Sequence, residues 1–127
     1  MSTFFENWKQ CMSNSVLPVP NIEDVNDAVE FLHQLHSAWE NAGGEVETTI
    51  GTLIASGAAA GISEDALVVL GTVANIAVSL YISQGIGCLG SVAKDGLKAL
   101  FAENELPDFV IAELDSQGID LNNEATA

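Results

Sequence analysis

The sequence predicts an all-α protein: a compact bundle of five to six helices around a central apolar helical hairpin. Three observations carry this expectation. Apolar residues recur at steps of three and four through much of the chain. Helix-starting residues stand before those segments and glycines after them. Between Thr48 and Ala93 the chain is apolar and rich in small residues, and only Glu64 and Asp65 are charged. A chain of 127 residues fits one domain, placed here at 1–118 with a loosely held tail over 119–127.

The first helix is expected over 3–13. Thr3 and Glu6 make a capping box, and Phe4, Trp8, Cys11 and Met12 share a face. Pro18 and Pro20 close it with an extended connector. The second helix is expected over 21–42, with Asn21 as N-cap and Glu23 and Asp24 in a first turn that favours anions. Ile22, Val25, Val29, Leu32, Leu35 and Trp39 form its stripe, and Gly43-Gly44 ends it.

The hairpin follows. Its arms are 48–61 and 64–83, joined by a turn in which Ser63 caps and Glu64 and Asp65 supply charge. The 28 residues from Ala66 to Ala93 carry no charge at all. A helix apolar on every side is either a buried centre or a membrane span, and one running 64–83 would be about 30 Å long, near the thickness of a bilayer core. Helices over 86–103 and 107–117 complete the set, the latter opening on Pro107.

Small residues recur within the hairpin at helical spacing. Gly57 and Gly61 form a G-x-x-x-G, Gly51 and Ala55 stand four apart, as do Ala74 and Val78, and Gly71, Ala74 and Ala77 make a small face beside Tyr81. Such faces let helix backbones approach closely, in lipid or in a soluble core. They also permit a homo-oligomer.

Charge excludes some functions. Eighteen acids stand against three lysines, Lys9, Lys94 and Lys98, for a formal charge of −15. Nucleic acid is excluded as a partner, because phosphate neutralisation needs clustered cations. The acidic surface suits solubility or a basic protein steered in by charge.

Chemical motifs are sparse. Gly85, Gly87 and Gly90 spell G-x-G-x-x-G, with Glu113 and Asp115 beyond, but no doubly wound sheet surrounds them. A Gly-rich turn between packed helices is expected instead. Glu30, His33, His36 and Glu40 have ligand-like spacing on one helix, yet a di-metal bundle needs a second such motif. No nucleophile has an activating base. The expectation is therefore no catalytic residue, no cofactor and no metal. Cys11 and Cys88 are expected to be free thiols, since the N-terminus lacks a signal-peptide pattern and the chain reads as cytoplasmic on synthesis, with export by a signal-independent route left open.

Two apolar arms joined by a short capped turn resemble in outline the hydrophobic hairpin of pore-forming bacteriocins. The likeness implies a conditionally membrane-inserting antibacterial toxin or effector with membrane lipid as partner. The alternative is a soluble acidic immunity or inhibitor protein that binds a basic partner.

Overall fold

A computed structural model of the chain describes residues 3–119, the side chain of Thr3 excepted. Both the Thr3 capping contact and the tail beyond Ile119 therefore lie outside the described residues. Within them the chain is all helical: α1 (Thr3–Ser13), α2 (Val25–Asn41), α3 (Ile50–Ser56), α4 (Glu64–Gly71), α5 (Val78–Val92), α6 (Lys94–Ala102) and α7 (Asp108–Ser116). Seven helices replace the expected five or six.

The axis of the fold is α5. Its sequence, VSLYISQGIGCLGSV, has no charged side chain, and Val78, Tyr81, Ile82, Gly85, Ile86, Cys88, Leu89 and Gly90 are buried. Helices α1, α2, α6 and α7 all pack on it. The core they enclose contains Trp8, Met12, Leu32, Leu35, Leu53, Leu97 and Leu114, and no charged or polar side chain is buried among the described residues. Apolar area removed from water is the main favourable term here, at about 25 cal/mol per Å².

The expected 64–83 helix is broken, and the reason is tertiary. The Ala74 carbonyl accepts from Gly51 N, the Ile76 carbonyl from Ile50 N, and Val78 N donates to the Thr48 carbonyl. These bonds, with an isolated antiparallel bridge between Thr49 and Ala77, draw residues 72–77 out of the helical ladder. Thr49 caps α3 and Ser63 caps α4 through their hydroxyls. The first arm shrinks from 48–61 to Ile50–Ser56, because Gly57 stops it at φ +81°. The α5 axis is only about 22 Å long at 1.5 Å per residue, and no helix among the described residues is long and apolar enough to cross a membrane.

The other boundary changes are smaller. Asp24, not Asn21, caps α2, its carboxylate accepting from Asp27 N at 2.8 Å. The Gly-rich turn expected at 85–90 is the middle of α5, and the chain breaks later, at Ala93.

Four helices end with an N–H bonded five residues back: Leu17 to Met12, Gly44 to Trp39, Glu105 to Leu100 and Ile119 to Leu114. This is the Schellman arrangement, which puts the penultimate residue in the left-handed region. Gly43, Asn104 and Gly118 fill that place in three of them; Val16, at φ +57°, fills it in α1. A β-branched residue there costs about 1–2 kcal/mol.

Glycines in α3 and α4 have opposite surroundings. A Cβ on Gly51 would stand 3.1 Å from both the Cβ and the carbonyl oxygen of Ala74, whereas one on Gly71 would meet nothing within 4 Å. Gly51→Val is therefore expected to destabilise the fold by about 1–3 kcal/mol through overpacking. Gly71→Ala is expected to stabilise it by up to about 1 kcal/mol. Urea denaturation of both variants checks the pair, and a loss at Gly71 as large as that at Gly51 would contradict this packing.

Candidate functional site

The helices bring together side chains that are distant in sequence. Helices α1 and α5 run parallel, joined one turn apart: Trp8 Nε1 donates to the Gly85 carbonyl at 3.2 Å, and Cys11 bonds to Cys88. Both links span 77 residues. The expectation of free thiols is thus overturned. Cys11 lies on the apolar face of α1 with Trp8 and Met12, and Cys88 lies on the buried face of α5, so packing the two faces brings the sulfurs together. The signal lay in those faces, but only a pairing of α1 with α5 makes it readable.

Gly85, Gly87 and Gly90 do not form a phosphate loop. They lie inside α5, where backbone N–H groups are engaged in the helix rather than presented to an anion. A Cβ on Gly85 would stand 2.9 Å from Leu32 Cδ2, and one on Gly90 would be 3.1 Å from Leu114 Cδ2. These glycines let α2 and α7 close on the axis. Glu113, one of the acids beyond the motif, accepts instead from Ser83 Oγ at 3.0 Å and Gln117 Nε2 at 2.8 Å, tying α7 to α5.

The small-residue positions are dispersed. Gly51 packs on Ala74, and Val78 and Tyr81 are buried at the start of α5. Gly57, Gly61 and Gly71 face open space, and Ala55 is exposed. Tyr81 is anchored: its hydroxyl donates to the Pro18 carbonyl at 2.7 Å, its ring meets Phe31 edge-on, and burial pushes its pKa well above the ordinary tyrosine range.

Two surface concavities hold the chemistry. In the first, Asp27 and Glu30 of α2 face Asp65 of α4 across a groove of about 350 Å³, with Ile22, Phe31 and Ala66 also lining it. By sequence alone Asp65 belongs only to the hairpin turn. Its proximity to α2 depends on how α4 folds back, which no local pattern encodes.

The second lies where α2 meets α7. His36 stacks on Phe109 with ring centroids 3.9 Å apart and planes 7° apart, and His33 approaches the same ring at 5.9 Å. Glu40, Glu105 and Asp108 line the cleft with them, and His36 Nδ1 is 3.5 Å from Glu40 Oε1. Glu30 belongs to the other groove, so the metal-like spacing on α2 divides between two sites. Among the described residues no group of three or more His, Cys, Asp or Glu could hold a metal ion.

No protein-family model, no curated protein and no solved structure matches the chain.

Burial holds His36 below its ordinary pKa; Glu40 pulls upward and His33 pushes downward. The folded protein therefore takes up this proton less readily than the unfolded chain, and His36 subtracts stability as pH falls through the range just below 6.5. His36→Phe keeps the ring on Phe109 and removes the titration. On acidification from about pH 7.5 to about pH 5.5, the native chain is expected to lose melting temperature relative to the variant. Parallel pH profiles for the two proteins would refute this effect.

Proposed function

We propose that this chain acts by association rather than by turnover, as an acidic binding protein that takes up a basic protein partner in the manner of an inhibitor or immunity protein. The carrying observation is the separation of charge from core. No charged side chain is buried among the described residues, so the described acids, which make up most of the 18 behind the formal charge of −15, lie at the surface. Such a field speeds the encounter with a cationic surface and repels anionic ones. The Asp27, Glu30 and Asp65 groove suits a lysine or arginine: carboxylates meet the cation, and Ile22, Phe31 and Ala66 receive its aliphatic stem. The Cys11–Cys88 bond supports work in an oxidising compartment, where disulfides persist.

The membrane-inserting toxin reading has one observation in its favour. Val46, Ile54, Val68 and Leu80 are exposed large apolar residues, Val68 at 72%, and the last two belong to the charge-free run 66–93. Insertion would require the 72–77 turn to straighten and α5 to leave its cover.

Affinity capture from the native source, followed by titration with the purified partner, separates the two. The binding reading predicts a partner of basic isoelectric point and an affinity that falls as salt rises. Replacing Asp27, Glu30 and Asp65 by their amides is expected to slow association about tenfold. A salt-insensitive complex, or one unaffected by the triple amide variant, would count against it. Dye release from zwitterionic liposomes, with no basic partner found, would favour insertion instead.

A further inference from the structure

We propose that α1 is a redox-held strap on the central helix, with Cys11–Cys88 as its lock and Val16 as its hinge. Three independent features converge on this reading. First, the only covalent tie between α1 and the rest of the described structure, apart from the chain itself, is the disulfide to α5. Second, the exit from α1 carries valine where the three other helices with the same terminal hydrogen bonding carry glycine or asparagine, and that valine is 81% exposed at φ +57°. A strained, exposed residue without packing to hold it is kept in place by what lies on either side of it. Third, the chain just past the hinge is fixed independently: Leu17, Val19 and Pro20 are buried, and Tyr81 Oη holds the Pro18 carbonyl. Opening at Val16 therefore moves α1 alone.

The lock is accessible from one side. Cys11 is half-buried and Cys88 is 1% exposed. A dithiol reductant of the Cys-x-x-Cys class attacks Cys11 Sγ as thiolate. The Cys11–Cys88 bond breaks, its electron pair goes to Cys88 Sγ, and that sulfur takes a proton from water. The second thiol of the reductant then gives up its proton, attacks the mixed disulfide and releases Cys11, which is protonated in turn. The protein's disulfide is reduced and the dithiol is oxidised. With the lock gone, relaxation of Val16 to an ordinary backbone conformation favours lifting of α1. Trp8 and Met12 leave the core, and the strip of α5 around Gly85 and Cys88 is uncovered. Passage between a reducing and an oxidising compartment sets the strap.

Reduction of the intact chain tests this, with Trp39→Phe leaving Trp8 as the sole indole reporter. On adding dithiothreitol, Trp8 emission is expected to shift to the red, while helical ellipticity falls by no more than the 11 residues of α1 contribute. Cys11→Ala/Cys88→Ala in the same background should show the red-shifted emission without reductant. Val16→Gly removes the hinge strain, so the reduced variant is expected to keep a larger share of α1 seated and show a smaller shift. The proposal is overturned if Trp8 emission stays blue once both thiols titrate as free, or if all helical signal is lost together. It is equally overturned if Val16→Gly leaves the shift unchanged or enlarges it, because a disulfide that only staples the fold does not depend on that residue.

Discussion

Everything in this molecule is arranged around the need to keep α5 away from water. A helix with no charged side chain has little to give to solvent, and this one is packed against α1, α2, α6 and α7, with only Leu80 and Ser91 exposed along it. Its glycines serve that end. Gly85 and Gly90 remove side chains where Leu32 of α2 and Leu114 of α7 press in, so the neighbours approach closely enough to leave little void. The helical cost of glycine, about 1 kcal/mol each, is offset by the contact it permits.

The outer surface follows from the same constraint. With all four flanking helices turning their apolar stripes to α5, their acids point outward, and the chain becomes a neutral core in a negative shell. That shell is not uniform. Residues 48–63 and 66–93 contribute no charge, so α3 and the turns of α4 beyond Asp65 are free of it, and it is there that Ile54 and Val68 remain exposed.

Structure that is locally encoded is legible in the sequence. The limits of α1 and α7 were legible from periodicity and proline, and the stripe of α2 from its apolar spacing; Val29, Leu32 and Leu35 are all buried. That legibility ends where tertiary contacts decide. Nothing near Thr72 forbids a helix, yet hydrogen bonds from residues 48–51 claim that stretch. Glycines at 85, 87 and 90 read as a break, yet tertiary packing makes them helix. The candidate sites divide in the same way. His33 and His36 were visible as neighbours on one helix, but their partner Phe109 comes from α7. Asp65 joins Asp27 and Glu30 only after α4 folds back, and Cys11 finds Cys88 only once α1 lies on α5.

Native-state amide hydrogen exchange tests the central claim most directly, because it ranks each segment by the free energy needed to open it. If α5 is the axis of the fold, the amides from Tyr81 to Leu89 exchange last, at the rate of global unfolding, and those of α3 and α4 exchange earlier. Slowest exchange in α3 and α4, with α5 opening first, would contradict the account.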